Sequence, residues 1–476
     1  MSNLSNLEPQ NVFHWFYELN QIPRNSGHEQ KVSDFLVKFA KDRNLEVHQD
    51  KFLNVIIKKP GTAGYETSDT VIIQGHMDMV CVKEDGCSHN FDTDPIDMII
   101  DGDVVTANGT TLGADDGIAV AMGLALLDSS DIAHPPIEFL ATTSEETGMD
   151  GAFGLTNEFL TGKHLINIDT ETEGDILVSC SGGSSLDMHF EGRKESVEGE
   201  AVVVTVSGLK GGHSGMEIHK QRANAIKVTG RILNEVKENA CIVSISGGIK
   251  HNAIPALVTA TVVLPNAEEG IKVMTEMAKD IKNEYRVEEP GMEVTFEKAE
   301  VKEAFDKAYS TRMINYIMML PDGVQKMSKD IEGLVETSLN NAIIETKDDG
   351  MNMITSIRSA CVSSLKEMID TLKIITEVSG GSSKEFSSYP AWQFDAESRI
   401  RDIAIETYKE LYKEEPNVTS IHAGLECGLL KGILPDTDMV SFGPDINGAH
   451  SPEETLGIKS TERVWAFTKE LLKKLK

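Results

Sequence analysis

Cysteine and long apolar runs are both scarce in this chain. Six cysteines are spread over 476 residues, which is too sparse for a disulfide framework and fits free thiols in a reducing compartment. No apolar stretch approaches the roughly 20 residues that a membrane-spanning helix requires. The first ten residues, MSNLSNLEPQ, lack the basic and apolar segments of a secretory signal. We therefore expect a cytoplasmic protein with no membrane partner.

Basic residues are also in the minority. The chain has 45 Lys and Arg against 76 Asp and Glu, which gives a formal net charge of -31. A surface of this sign repels phosphate backbones, so nucleic acid is not an expected partner. The excess of acid has two interpretations: it serves solubility alone, or some of the carboxylates bind cations.

The length and the hydrophobic pattern predict two domains. In residues 1–186, short apolar runs typical of strands alternate with helical periodicities, such as residues 70–74 followed by 117–127. This alternation predicts an α/β domain whose mostly parallel sheet is flanked by helices. The pattern changes after residue 186 and resumes beyond Pro390.

Two Gly/Ser-rich strings, at residues 181–184 and 379–383, stand near these changes. Each is either an ordinary loop or a hinge, and their positions suit two hinges around an insertion. We expect a discontinuous catalytic domain, residues 1–186 and 391–476, and an inserted α+β lid domain, residues 187–390.

Five segments place candidate metal ligands at the end of an apparent strand or in a loop. They are QGHMDM (74–79), LGADDG (112–117), TSEETG (143–148), NIDTE (167–171) and GAHSPE (448–453). Since sites in open α/β sheets collect at the carboxyl ends of strands, we expect these segments to converge. Imidazoles combined with several carboxylates suit Zn²⁺, Mn²⁺ or Co²⁺.

Each of these segments alone has a simpler interpretation. A single His after a strand is commonly structural, and adjacent Asp residues before a helix commonly form an N-cap. A Glu pair in a loop is commonly a solvated turn. The five together favour a metal site, because buried strands seldom all end in acids and imidazoles without a cation to compensate them.

The motifs occur in a recognisable order. GHMDMV, TLGADDGIAVA, TTSEETGMDGA, INIDTE, GLKGGHSG, HNAIP, IHAGLECG and NGAHSPEE run from residue 75 to 454. This series resembles the M20 metallopeptidases and, within them, the aminoacyl-histidine dipeptidase branch. The resemblance implies a hydrolase that cleaves the peptide bond of dipeptides or short peptides, Xaa-His and related unblocked dipeptides among them. It also implies two divalent metal ions, with zinc as first choice and manganese or cobalt as alternatives.

The resemblance implies a role for particular residues of the catalytic domain. One metal would be bound by His76 and Asp169, and the second by Glu146 and His450. Asp115 would bridge the two metals. This set supplies two imidazoles and three carboxylates, a mixture that divalent zinc accepts.

Two further residues of the catalytic domain have implied roles in the reaction. Glu145 would be the general acid/base, and Asp78 would hold the imidazole of His76 in one tautomer. The resemblance also implies a cis peptide bond between Asp115 and Asp116.

Four residues further along the chain have implied roles towards substrate. His213 would stabilise an oxyanion, although its GGHSG segment also fits a tight turn with an exposed imidazole. Asn252 and Arg358 would hold the free carboxylate of the substrate, for which the planar fork of Arg is well suited; an exposed surface Arg is the alternative. Glu426 would receive the free amine, or it is a helix cap or solvated acid.

Other functions remain open on the same scaffold. An N-acyl amino acid deacylase or a short-peptide carboxypeptidase would use the same metals and Glu145, and a non-catalytic metal-binding protein is a remote third reading. The long insertion and the acid in HAGLECG favour dipeptides. The sequence leaves open the preferred dipeptide, the physiological metal and the choice between monomer and homodimer.

Overall fold

The computed structural model describes residues 4–476, which divide into two compact units. Unit 1 contains the chain up to Ser179 together with Phe394–Ser420 and Leu425–Lys476. Unit 2 contains Cys180–Gln393 and the short segment Ile421–Gly424. The expected domain limits, 186 and 390, stand a few residues from the changeovers at 179 and 393. The sequence pattern did not separate the segment 421–424 from its surroundings.

Helices α5 to α8 belong to unit 2 and the other helices to unit 1. In chain order, the helices are α1 (Gln10–Leu19), α2 (Gln30–Asp42), α3 (Ala114–Asp128), α4 (Asp150–Gly154), α5 (Ala225–Asn234), α6 (Ala267–Glu284), α7 (Lys307–Met319), α8 (Val362–Val378), α9 (Arg399–Tyr412), α10 (Glu426–Ile433) and α11 (Ile458–Lys474). Within residues 4–476, none of them combines the length and hydrophobicity that crossing a bilayer requires.

The strands are numbered in the same way. They are β1 (Glu46–Gln49), β2 (Val55–Lys59), β3 (Val71–His76), β4 (Met98–Asp101), β5 (Val104–Ala107), β6 (Ile137–Thr142), β7 (His164–Asn167), β8 (Asp175–Cys180), β9 (Gly182–Glu191), β10 (Lys194–Ser196), β11 (Glu200–Ser207), β12 (Gly212–His213), β13 (Cys241–Gly247), β14 (Ala253–Ile254), β15 (Val258–Leu264), β16 (Glu293–Ala299), β17 (Glu303–Phe305), β18 (Gly323–Met327), β19 (Val335–Lys347), β20 (Gly350–Ser359), β21 (Ser382–Tyr389), β22 (Asn417–Ile421), β23 (Asp438–Ser441), β24 (Ile446–Asn447) and β25 (Thr455–Gly457).

Unit 1 is built on an eight-stranded sheet in the order β1-β2-β6-β3-β7-β23-β8-β22. Its central strands β6, β3, β7 and β23 run parallel, while β1, β2 and β8 pair antiparallel with their neighbours. Strands β3 and β6 are buried along their whole length, as their apolar sequences predict. The expected α/β fold class is confirmed, and the parallel pairing lies in the centre of the sheet.

Helix α3 begins directly against the end of β3. Its second and third residues, Asp115 and Asp116, have non-helical backbone angles, and the regular helix follows them. A Cβ at Gly75 would lie 2.4 Å from the Cβ of Ala119 and 2.5 Å from Oδ2 of Asp116. Because Gly75 has no side chain, the start of α3 can approach the strand that ends at His76.

Unit 2 is an α+β unit, as expected, built on an antiparallel sheet. The strand order is β16-β11-β15-β13-β19-β20-β9-β21, and β18 pairs with β19. Helices α5 to α8 contribute apolar side chains to one core with this sheet, including those of Ile232, Met274, Met313 and Leu372.

Both Gly/Ser-rich strings lie entirely within unit 2. Residues 182–184 begin strand β9. Gly380, with a φ of +77°, follows the end of α8 at Val378, and strand β21 starts two residues later. Since both neighbours of Gly380 belong to unit 2, this string is a loop within unit 2, the first of its two interpretations, and does not link the two units. The chain leaves unit 2 after Gln393 instead.

Candidate metal centre and substrate contacts

Carboxylates and imidazoles of unit 1 converge where the central strands end. His76 is the last residue of β3, Glu145 and Glu146 follow β6, and Asp169 follows β7. Three groups of these side chains have ligand atoms within 4.8 Å of one another: His76, Asp116 and Asp169; His76, Glu145 and Glu146; and Asp115, Glu146 and His450. The expected convergence of the five sequence segments is therefore present in the fold.

Asp115 lies between the two imidazoles. Its Oδ1 is 3.1 Å from Nε2 of His76, and its Oδ2 is 3.0 Å from Nε2 of His450. Nε2 of His450 is also 3.0 Å from Oε2 of Glu146, and Nε2 of His76 is 3.7 Å from Oδ1 of Asp169. One oxygen of Asp115 thus faces His76, which is also close to Asp169, and the other faces His450, which is also close to Glu146. The peptide bond after Asp115 is cis, as the family resemblance implies.

The donor set of this cluster fits divalent cations. Oδ1 of Asp116 and Oε1 of Glu146 are buried without a hydrogen-bond partner, although buried carboxylate oxygens normally have one. Burial and the nearby Asp116 carboxylate raise the pKa of Asp169. Burial alone would also raise the pKa of Asp115, but hydrogen bonds from His450 and His76 outweigh it and hold that pKa well below its usual value. Positive charge among these oxygens would relieve their repulsion.

Asp78 connects His76 to the loop that follows β6. The Nδ1 atom of His76 is 3.4 Å from Oδ1 of Asp78 and 3.2 Å from its backbone oxygen. Both are acceptors, so Nδ1 carries a proton, and Nε2, which faces Asp115, is the nitrogen that a metal would bind in place of its own proton. The Asp78 carboxylate also accepts the backbone N–H groups of Glu145 at 3.1 Å and Glu146 at 3.3 Å.

Glu145 lies half-buried in a short turn beside the ligand atoms of His76 and Glu146. Burial raises the pKa of Glu145 well above the usual range. The nearby carboxylates of Glu426, Glu146 and Asp115 raise this pKa further, whereas the charge of His76 opposes the shift. A carboxylate that binds a proton readily suits a general acid/base.

The predicted residues of unit 2 are close to one another. Strands β12 and β14 pair so that His213 stands opposite Ala253, and the N–H of Ser214 donates to the backbone oxygen of Asn252 at 2.9 Å. This pairing brings the GGHSG and HNAIP segments together. A Cβ at Gly215 would lie 3.1 Å from Nε of Arg358, so Arg358 reaches the same loop.

The hydrogen bonds of His213 fix its tautomer. Its Nδ1 accepts the backbone N–H groups of Gly215 at 3.2 Å and Met216 at 3.0 Å. Burial and the charge of Arg358 lower the pKa of the His213 imidazole, so the ring is neutral at pH 7. Its single proton is therefore on Nε2, which is left as a donor.

Arg358 is held by a tyrosine that lies two strands away. Its Nη1 donates to the hydroxyl of Tyr389 at 2.7 Å. Gly183 of the middle strand stands opposite both residues in the register, and a Cβ there would lie 2.5 Å from the Tyr389 hydroxyl oxygen. The absent side chain leaves room for the ring to cross the middle strand. The buried Nε of Arg358 has no hydrogen-bond partner and remains available as a donor.

Glu426, at the start of α10 in unit 1, is fully buried. Its Oε2 accepts hydrogen bonds from Nε2 of Gln74 and Oγ1 of Thr142, both at 2.6 Å, while Oε1 has no partner. Burial raises the pKa of Glu426 to about 7. The carboxylate thus lies at the ends of β3 and β6, and its proposed contact with a substrate amine stays a prediction.

Arg24 is a buried residue of this region that the sequence did not reveal. Its guanidinium donates to the backbone oxygens of Met77 at 3.2 Å and Asp78 at 3.1 Å, and to that of Gly113 at 2.5 Å. It therefore joins the segment that carries His76 to the segment that carries Asp115. A single Arg between two helices gives no sequence signal of such a role.

Comparison with known proteins identifies one family, one similar sequence and two similar structures. The family model of peptidase family M20/M25/M40 matches residues 72–474. The cytosol non-specific dipeptidase of Escherichia coli K12 is 38% identical over 482 residues, covering 100% of this chain and 99% of that protein. The crystal structure of aminoacylhistidine dipeptidase from Vibrio alginolyticus matches with a TM-score of 0.95 and 39% identity, covering 99% of this chain and 98% of that one. Aminopeptidase PepT from Bacillus cereus, at 16% identity and a TM-score of 0.57 over 98% and 99% of the two chains, shares the fold.

Proposed function

The chain belongs to peptidase family M20/M25/M40, and from this premise we propose that it hydrolyses unblocked dipeptides, Xaa-His among them, with two bound divalent cations. The observation that carries the proposal is the position of Asp115, whose two oxygens face His76 and His450 at 3.1 and 3.0 Å. A carboxylate between two separate sets of ligands is suited to bridging two metals.

The distances support the ligand assignment that the family resemblance implies. We assign His76 and Asp169 to one cation, Glu146 and His450 to the second, and Asp115 to both. Zinc is the first choice for this donor set, with manganese or cobalt as alternatives. Two such cations, when bound, lower the pKa of a shared water and polarise the peptide carbonyl.

The remaining roles belong to side chains of the protein. Glu145 takes a proton from the attacking water and passes it to the leaving amine. The Nε2 proton of His213 is donated to the oxygen on which negative charge develops. This role is supported by the tautomer of His213, because its Nδ1 accepts the backbone N–H groups of Gly215 and Met216 and its proton is therefore on Nε2.

The two ends of the substrate are bound by different groups in this proposal. Arg358 and Asn252 hold the free carboxylate, and support comes from the unpartnered Nε of Arg358. Glu426 receives the free amine, and its unpartnered Oε1 is the acceptor left for it. Because the free carboxylate and the free amine of the substrate would both have to be bound, the enzyme would be restricted to short unblocked peptides.

A panel of end-blocked substrates tests this function. We expect rapid hydrolysis of a free dipeptide such as Ala-His, and activity at least about 100-fold lower on its N-acetyl form and its amide, because each blocked form loses one charged contact. Product formation is followed by mass spectrometry. The panel also contains an N-acetyl amino acid, and faster cleavage of that compound than of the free dipeptide would instead identify a deacylase.

The cellular setting is part of the same proposal. The E. coli relative is named a cytosol enzyme, and we propose the same compartment here. All six cysteines lie within the described residues and none of them is in a disulfide, in keeping with a reducing environment. A homodimer is a further prediction, which sedimentation of the purified protein would test.

A further inference from the structure

Glu454 binds an unusual number of backbone groups. Its Oε2 accepts the N–H of Leu112 at 2.7 Å and of Gly113 at 2.9 Å. Its Oε1 accepts the N–H of Ala114 at 2.7 Å and of Asp115 at 3.3 Å. Four consecutive amides, ending at the residue between the two histidines, are therefore held by one carboxylate that is 2% exposed.

The backbone of Glu454 is itself fixed. Its carbonyl oxygen accepts the hydroxyl of Thr106 at 2.8 Å, and its N–H donates to the oxygen of Ser451 at 3.1 Å. Thr455, the next residue, begins strand β25, which pairs with β5. A second, four-stranded sheet of unit 1, in the order β24-β25-β5-β4, thus holds the carboxylate in place.

Glu454 also lies four residues after His450, in the same loop. One residue therefore connects the backbone that presents His450 with the backbone that presents Asp115. Nε2 of His450 and Oδ2 of Asp115 are 3.0 Å apart, so a small shift of either backbone would change that distance. Arg24 holds the opposite side of the same segment, since it donates to the oxygen of Gly113.

We propose that Glu454 is a positioning residue that sets the distance between Asp115 and His450 and thereby raises the affinity for both metals. It touches neither metal nor substrate, and it acts through the peptide groups of residues 112–115. The inference rests on the proposed function only in taking Asp115 and His450 as metal ligands. Groups that orient metal ligands typically change metal affinity by about 10–100-fold.

A carboxylate elsewhere in unit 1 provides a matched control. Glu138 is also 2% exposed, and its Oε2 accepts the N–H groups of Thr161 at 2.8 Å and Gly162 at 3.0 Å. It lies at the start of β6, the opposite end from the metal ligands. Glu138→Gln therefore removes a comparable buried carboxylate without touching the ligand segments.

The experiment measures metal binding directly. Metal-free wild type, Glu454→Gln and Glu138→Gln are titrated with Co²⁺ against a competing chelator, and the visible absorption of bound Co²⁺ is recorded. We expect Glu454→Gln to weaken Co²⁺ binding by about 10–100-fold and to alter the absorption bands. Glu138→Gln should keep the wild-type affinity within about threefold and the wild-type bands, whatever its melting temperature.

The inference is overturned if Glu454→Gln binds Co²⁺ within about threefold of wild type, or if Glu138→Gln loses as much. If Glu454→Gln does not fold, the same titration is made with Glu454→Asp, which keeps the charge but has a shorter side chain. A smaller loss of Co²⁺ affinity with shifted absorption bands supports the inference, and wild-type Co²⁺ binding overturns it. Failure of wild type itself to bind two Co²⁺ would reject the proposed metal centre, which is a separate result.

Discussion

Replacing Glu145 with Gln is expected to lower kcat by about 10²–10⁴-fold while both metal ions stay bound and KM changes little. The substitution keeps the shape of the side chain and removes its capacity to accept a proton. Glu145 stands beside the ligand atoms of His76 and Glu146 but is not itself assigned to a metal. Metal content per chain is measured together with steady-state kinetics on a free dipeptide.

The adjacent residue provides the control. Oε2 of Glu146 is 3.0 Å from Nε2 of His450, so Glu146→Gln should lose one metal from the purified protein. Its activity should recover in part when metal is added in excess. Near-normal turnover by Glu145→Gln with two metals bound would contradict the mechanism, even with the fold and the ligand set intact.

Replacing Arg358 with Ala is expected to impair hydrolysis of free dipeptides selectively. Loss of one partner from a buried, hydrogen-bonded charge pair costs roughly 2–5 kcal/mol, equivalent to about 30- to 5,000-fold in kcat/KM. A dipeptide amide, which lacks the carboxylate, should already be a poor substrate and should lose little more. Kinetics on the two substrates, compared for each variant, give the measurement.

The variant Tyr389→Phe should impair the hydrolysis of free dipeptides to a smaller extent. It removes the hydroxyl that accepts from Nη1 of Arg358 but leaves the guanidinium and the aromatic ring. We expect a smaller loss than for Arg358→Ala, again confined to substrates with a free carboxylate. Equal losses on the free dipeptide and on the amide, for both variants, would show that Arg358 does not contact that group.

The elements of unit 1 could be predicted because their sequences are simple. Strands β3 and β6 are continuous apolar runs, buried along their length. His, Asp and Glu follow the ends of these strands, a combination that favours a shared site. Several of the proposed ligands could therefore be found on segments that are separated in sequence but joined by one sheet edge.

Unit 2 was harder to predict because some of its strands are rich in polar residues. Strand β19 contains the buried polar residues Asn340 and Asn341, and the Asn341 amide is bonded to Asp322 and to the oxygen of Pro321. Such a strand has the composition of a loop, and tertiary hydrogen bonds replace the apolar contacts that a strand pattern relies on. The glycines at 182 and 183 likewise suggested a loop, although they belong to β9.

The supporting residues were out of reach of sequence reasoning for a different reason. The contact of Tyr389 with Arg358 depends on strand register across Gly183. The contacts of Arg24 and Glu454 join segments about 90 and 340 residues apart in the chain. A single sequence contains no period or spacing that marks such pairs.

Stepwise reconstitution of the metal-free protein tests the central claim most directly. The protein is stripped with a chelator, titrated with Zn²⁺, Mn²⁺ or Co²⁺, and assayed on a free dipeptide at each addition. Two cations per chain should bind, and activity should reach its maximum only near two equivalents, because in the proposed centre Asp115 is shared between the ligands of both cations. Full dipeptide hydrolysis by the stripped protein, or maximal activity with a single equivalent, would contradict a two-metal mechanism.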